Sequence, residues 1–433
     1  MSKLRTFLFH AFFFILFALT GVKGLSATFG EHVRPERTLR VDYQFSGDAK
    51  HQEISLYELC SFKGWAGRAH HMDSLPLRGN GDIGMRDAES GELLYRQSFS
   101  TLFQEWLATE EATRVARSFE NTFLLPMPVA PVEITVRLFG MHAGDTVTFT
   151  HIVDPKDILI RNLDAVPVPP RRTLHASSSP AEGIDVVIVA EGYTAEQEES
   201  FYADAQIAVE AILSHEPFKH YADRFNFVAV AAPSDDADVS IPHEGIWRNT
   251  ALSSNFSTFY SDRYLTTLRV RDLHNLLAGI PYEHIIILAN TDTYGGGGIY
   301  NAYTLTTTHH EAFRSVVVHE FGHCFGGLAD EYYYDDQYEN YYGSEEEPWE
   351  QNISTLCDFQ SKWADLLQPN TPIPTAEDES NIGKIGVYEG GGYMSKGVYR
   401  AFQDCRMKTN ACPAFCEVCQ RALARLIEFY TED

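Results

Sequence analysis

Two patterns of apolar and polar positions divide most of the chain. From about residue 28 to 165 the two kinds alternate in short runs, as in Thr38-Leu39-Arg40-Val41-Asp42-Tyr43-Gln44-Phe45, Val132-Glu133-Ile134-Thr135-Val136-Arg137-Leu138 and Thr146-Val147-Thr148-Phe149-Thr150-His151-Ile152. Side chains of a strand point alternately to its two faces, so these runs predict strands with one face buried. Gly140, Gly144 and Asp145 predict the turn between the last two, and Phe103 to Ala116 a helical insertion. The expected fold of residues 28–165 is an all-β sandwich.

Val166-Pro167-Val168-Pro169-Pro170-Arg171-Arg172, followed by Ser177-Ser178-Ser179-Pro180, predicts a linker over 166–182. Beyond it the pattern changes. Ile184-Asp185-Val186-Val187-Ile188-Val189-Ala190 and Ile285-Ile286-Ile287-Leu288-Ala289 are apolar runs of the kind found in strands covered on both faces. Ala195 to Leu213 reads as a helix and Phe225 to Ala231 as a strand, so residues 183–433 are expected to form an α/β domain with a largely parallel sheet. Gly295-Gly296-Gly297-Gly298 enters a further strand. This run lacks the Lys-Ser/Thr ending of a phosphate loop and fits an edge strand onto which an extended peptide could add, with Gly297 and Gly298 as substrate-contact candidates.

A third pattern stands at the start: Lys3 and Arg5, an apolar stretch from Phe7 to Leu19, then small and polar residues to Ala27. It predicts a signal peptide over 1–27, cleaved near Gly24 or Ala27, with no stable membrane insertion afterwards and a mature protein outside the cytoplasm. The 433 residues carry a formal net charge of −26, which argues against nucleic acid or an anionic membrane as partner. A monomer is expected. Seven cysteines in an exported chain invite disulfides, and an odd count leaves at least one thiol free. Five of them lie late in the chain, where Cys412-x3-Cys416-x2-Cys419 lacks the matching pair of a metal-finger pattern; disulfides or packing are the expected roles.

The chemistry concentrates in Val316-Val317-Val318-His319-Glu320-Phe321-Gly322-His323, an H-E-x-x-H pattern behind an apolar run. Histidines four apart lie about 400° around a helix, so both imidazoles leave one face and can hold one Zn²⁺. Glu320, about 100° further round, stands beside the metal, where a carboxylate can accept a proton from a water whose pKa the metal lowers. Gly326 falls where metzincin-type sites turn sharply, but the third histidine of that pattern would be position 329, which is Ala329. Asp330 is the preferred third ligand, with Glu331 and Glu339 as alternatives. Tyr332, Tyr393 and Tyr399 are candidates to stabilise an oxyanion.

The stretch His319 to Tyr332, with Glu191-Gly192-Tyr193-Thr194 and Gly397-Val398-Tyr399-Arg400, resembles the bacterial IgA-peptidase family of zinc metallopeptidases over about residues 183–430. The first half is similar to the N-terminal domain that accompanies this family. The resemblance implies a metzincin-like catalytic domain, a secreted metalloendopeptidase acting on protein or peptide substrates, and a methionine turn beneath the zinc, with Met407 as candidate and Met394 as runner-up. Cleavage of immunoglobulin A does not transfer with the motif, because substrate choice depends on pocket detail. Two other classes remain open: an extracytoplasmic glycan- or protein-binding protein with an inactive zinc domain, and a zinc amidase acting on cell-wall amides. The acidic run Ser234-Asp235-Asp236-Ala237-Asp238 reads as a solvated turn more readily than a calcium loop. Asn255-Phe256-Ser257 and Asn352-Ile353-Ser354 match the glycosylation pattern.

Overall fold

The computed structural model describes residues 31–140, 146–180, 182–334 and 342–432. The segment 1–27, the turn residues Gly144 and Asp145, and Glu339 lie outside them. The fold is mixed α/β with several sheets. In its first half, strands β1 (Val33–Gly47), β2 (Gln52–Lys63), β3 (Gly81–Asp87), β4 (Leu93–Phe99), β5 (Arg117–Pro128), β6 (Val132–Phe139), β7 (Thr146–Val153) and β8 (Arg161–Asn162) build two four-stranded sheets, ordered β5-β1-β2-β8 and β4-β3-β6-β7. The alternation along Val132–Phe139 is reproduced residue by residue as buried and half-buried positions. The helical insertion is shorter than the sequence implied. Helix α1 covers Leu102–Leu107, begun by Thr101, whose side chain accepts from the Gln104 N–H, and a single 3-10 turn follows at Glu111–Thr113.

The second half is organised on a six-stranded sheet of β9 (Arg171–His175), β10 (Ile184–Glu191), β11 (Phe225–Val230), β12 (His284–Ala289), β13 (Gly296–Ile299) and β14 (Tyr303–Thr307), in the order β13-β14-β12-β10-β11-β9. The four inner strands are parallel, while both edge strands run antiparallel. Strand β9 corrects the sequence reading: residues taken as linker form an edge strand, because Arg171–His175 finds open backbone groups along β11.

All eight residues of β10 are buried. Their side chains serve two cores in alternation. Ile184, Val186, Ile188 and Ala190 join one hydrophobic cluster with helices α2 (Glu198–Leu213), α4 (Phe313–Cys324) and α5 (Glu417–Thr431). Val187 and Val189 face the other, which is shared with the strands of the first half and with helix α3 (Val270–Leu276). The first half thus covers one face of the sheet and the helices the other, which is why the strands are apolar throughout. A small sheet of β15 (Tyr333–Tyr334), β16 (Ile353–Ser354), β17 (Tyr388–Gly391) and β18 (Tyr393–Arg400) lies beyond α4 in the chain. Among the described residues no helix is long and apolar enough to cross a membrane.

Candidate metal centre

Helix α4 packs on β13, β14 and α2. Val317, Phe321 and Cys324 are wholly buried, whereas the His319 and His323 side chains retain 14% and 15% exposure, so the imidazoles leave the outer face together. Each ring is locked by a backbone carbonyl. The Nδ1 of His319 lies 3.0 Å from the Arg406 oxygen and that of His323 lies 2.6 Å from the Leu328 oxygen. A carbonyl can only accept, so Nδ1 of each ring carries the proton and the Nε2 lone pair is free for a cation.

The helix ends in a reversal. Gly327 sits at φ +56° with its N–H on the His323 carbonyl, and Leu328 N–H reaches the Gly322 carbonyl at 3.2 Å. The left-handed position is therefore Gly327 and not Gly326, whose own need for glycine is space: a Cβ there would stand 2.5 Å from both the Gly322 oxygen and Leu423. The reversal returns Asp330 to the histidines. Its Oδ1 lies 3.1 Å from His319 Nε2 and 3.3 Å from His323 Nε2, and the two Nε2 atoms are 3.0 Å apart. Ligands about 2.0–2.1 Å from a tetrahedral metal stand about 3.3 Å from one another, close to these three edges.

A metal fits this triangle for a further reason. Asp330 Oδ1 is buried and has no hydrogen-bond partner, which is costly for a carboxylate oxygen unless a cation faces it. The electrostatics agree. Burial alone would raise the Asp330 carboxyl, but the charge of His323 and the closeness of both imidazoles hold it well below the usual range; burial would lower His323, yet Asp330 carries it up to about 9. Asp330 thus favours a positive charge beside it, which a metal ion can supply.

Glu320 stands beside the triangle, its carboxylate lying against Gly296: a Cβ on that glycine would be 2.7 Å from Glu320 Oε1. Burial raises its pKa, the direction that makes a carboxylate a better proton acceptor. The segment before α5 closes the floor. Besides the Arg406 oxygen on His319, the Met407 oxygen accepts the Glu331 N–H at 2.8 Å, and Met407 Sδ would be 2.9 Å from a Cβ on Gly322. Met394 instead fills a satellite cluster with Ala329, Ile353 and Val398.

Other sequence candidates are redistributed. Glu331 turns away from the histidines, since successive residues of a non-helical segment project to opposite sides, and its carboxylate meets Asn352 and Cys419. Tyr393 donates its hydroxyl to Asp330 Oδ2, so it orients a carboxylate beside the histidines. Tyr399 sits opposite Glu389 across the β17–β18 pair, beyond a bulge in β18, and its charged neighbours are Glu389 and Lys396. Tyr332 does stay near, stacked edge-on to Tyr393 at 5.4 Å, with the Arg263 guanidinium 5.6 Å over its ring.

The glycine strand is an edge, but a partly filled one. Gly296 exchanges backbone hydrogen bonds with Arg263 and Leu265 at 3.3 Å, so the loop before α3 covers its outer side. Gly297 lies under the Tyr264 ring, and a Cβ on Gly298 would strike the Glu320 carbonyl and come within 2.9 Å of His323 Cβ. Close packing explains these glycines directly, on the helix for Gly296 and Gly298 and on the Tyr264 loop for Gly297.

Spacing gave no signal for Arg263, Asn352 or Glu105. Asn352 is fully buried and holds Ala329 and Glu331, on either side of Asp330, through bonds of 2.8–3.0 Å; its glycosylation pattern is therefore out of reach in the folded chain. Glu105, on α1, takes the Tyr264 hydroxyl, and burial raises its carboxyl to about 7. The acidic run at 234–238 is a turn stapled by Asn249, whose Nδ2 reaches Asp235 and whose N–H reaches Asp236. A cavity of about 90 Å³ between the two halves, near Tyr95, Phe123 and Tyr282, touches none of the metal-site residues.

The family model described as IgA Peptidase M64 matches residues 173–384 and 376–427, and that described as Peptidase M64 N-terminus matches residues 29–150. No curated protein matches the chain. Among solved structures, the crystal structure of metalloproteinase-II from Bacteroides fragilis is similar at 12% identity over 53% of this chain and 82% of that one, with a TM-score of 0.20.

Proposed function

This chain belongs to the IgA peptidase M64 family, a family of metallopeptidases, and we propose that within it the chain is an exported zinc-dependent endopeptidase whose metal is held by His319, His323 and Asp330. The observation that carries the reading is the triangle of Nε2, Nε2 and Oδ1 atoms with edges of 3.0, 3.1 and 3.3 Å around a buried oxygen that lacks a partner. Two nitrogens and one carboxylate oxygen suit zinc and leave one position open. Zinc bound there supplies a Lewis acid that polarises the scissile carbonyl and acidifies a water.

The chain's own side chains do the rest. Glu320 accepts the proton of the attacking water at its carboxylate and returns it to the leaving amine. Tyr332, with the Arg263 guanidinium over its ring, lies beside Tyr393, and in this reading their donors stabilise the negative charge that develops on the carbonyl oxygen. Tyr393 keeps Asp330 in position through its second oxygen. Strand β13 offers its remaining edge beyond Gly296 to an extended substrate backbone.

The same reading makes residues 183–433 a metzincin-like catalytic domain and residues 28–165 a β-sandwich domain laid over its sheet. Export rests on residues 1–27, and N-terminal sequencing of the mature protein checks it: an intact Met1 in the exported fraction would remove that part. The mechanism is tested by Glu320→Gln. The variant should bind zinc as the parent does and lose cleavage of a mixed protein digest, read by mass spectrometry, by at least 100-fold, about 2.7 kcal/mol. Parent-level cleavage by Glu320→Gln would overturn it.

A further inference from the structure

On the other side of Asp330 from the histidines, a second group of metal-ligand side chains converges. Sulfurs of Cys405, Cys416 and Cys419 and a carboxylate oxygen of Glu331 all lie within 4.8 Å of one another, and all four residues are buried. Cys405 and Cys419 Sγ are 3.7 Å apart, and Cys419 Sγ is 3.2 Å from Glu331 Oε1. A disulfide would need about 2.05 Å. Sulfurs about 2.3 Å from a tetrahedral zinc stand about 3.8 Å apart, which is the separation observed.

Two further observations point to a cation. Glu331 Oε2 is buried without a hydrogen-bond partner, the same signature that Asp330 Oδ1 shows at the histidine site. A second shell is also in place: Asn352 Nδ2 donates to Glu331 Oε1 at 3.0 Å, and the Cys416 N–H donates to Cys405 Sγ at 3.2 Å. A buried carboxylate oxygen without a hydrogen-bond donor or cation against it would be an expensive arrangement. Arg400 and Lys408 lie within electrostatic range of Glu331 and offset the negative charge that four anionic ligands would leave on a divalent ion.

We infer that Cys405, Cys416, Cys419 and Glu331 hold a second metal ion, best suited to zinc, that is structural and separate from the histidine centre. Three sulfurs and one oxygen form a soft, closed, four-ligand set with no position for water. On binding, the thiols and carboxyl enter as anions and their protons pass to solvent, with no change of oxidation state. The C-x2-C of Cys416 and Cys419 sits at the start of α5; Cys405 lies two residues before Met407, and Glu331 directly follows Asp330. One ion would thus tie α5, the methionine segment and the Asp330-Glu331 segment together beneath the H-E-x-x-H helix.

The test uses the full mature chain, purified without chelator, and does not depend on peptide cleavage. Metal analysis should give two zinc ions per chain, and His319→Ala/His323→Ala should retain one. Cobalt loaded into the parent and into that variant should show a near-ultraviolet sulfur-to-cobalt charge-transfer band, which the histidine site, having no sulfur ligand, cannot produce. Adding Cys416→Ser/Cys419→Ser should abolish the band and the second equivalent. A cobalt-loaded parent without that band, or a disulfide among Cys405, Cys416 and Cys419 found by mass mapping of the purified chain, would overturn the inference even if the enzyme cleaves protein. Two metal ions with the band, in a chain that cleaves nothing, would uphold it and count against the peptidase reading instead.

Discussion

Replacing Tyr393 by Phe separates two roles that look alike in the sequence. A tyrosine near a zinc helix can stabilise an oxyanion or can orient a ligand, and the structure commits the Tyr393 hydroxyl to Asp330 Oδ2. The ring itself is kept by Phe, including its edge-on contact with Tyr332 at 5.4 Å, so the change removes the hydroxyl's donation to Asp330 and little packing. What it leaves is a buried carboxylate oxygen on a metal ligand without its donor. Loss of such an outer partner typically weakens metal binding 10–100-fold, about 1.4–2.7 kcal/mol, within the cost of one unsatisfied buried polar group. Zinc affinity should be measured by competition with a chromogenic chelator, and kcat separately at saturating zinc. The expected result is a 10–100-fold weaker zinc affinity with kcat restored to within a few-fold once zinc saturates. Unchanged affinity with kcat reduced 100-fold would refute the reasoning and return Tyr393 to the oxyanion role.

Gly298→Ala should displace α4, because its Cβ would strike the Glu320 carbonyl and sit 2.9 Å from His323 Cβ; a loss of about 1–3 kcal/mol in urea unfolding, with weaker zinc binding, is expected. Glu191→Ala should cost more, about 3 kcal/mol or above, since its buried carboxylate accepts from the Thr250 hydroxyl and from the Leu252 and Ser254 N–H groups that shape the loop leading to Arg263. Asp185 supplies a pH signature. Burial raises its carboxyl from 3.8 to about 7, so the folded state binds the extra proton in that window and stability falls as pH rises from about 4 through 7, by at most about 4 kcal/mol. Asp185→Asn should flatten that part of the stability curve, leaving the slope of neighbouring Glu283, whose carboxyl burial also raises; an unchanged curve would show that Asp185 does not titrate there.

Much of the second half was legible because each feature is local. The apolar run Ile184–Ala190 announced a strand covered on both faces, and β10 is one. Period-two alternation marked β6, and four-residue spacing put His319 and His323 on one side of α4. Local patterns missed elements whose reason lies elsewhere in the chain. Prolines and serines made 166–182 look like linker, although the open edge of β11 draws Arg171–His175 into the sheet. Arg263 and Glu105 carry no spacing relative to the zinc helix.

The sequence by itself determined the secondary structure around the H-E-x-x-H helix and the common face of its two histidines, because periodicity and residue chemistry act over a single turn. Tertiary structure sent Asp330 and Glu331 to different surroundings. The reversal at Gly327 brings the first back to the histidines, and because neighbouring side chains diverge, the second is sent to Cys405, Cys416 and Cys419. It also brought the Tyr393 hydroxyl to Asp330. Those choices depend on groups 63 to 88 positions apart meeting in one buried space, where an unpaired carboxylate is costly, and no spacing rule along the chain carries that information.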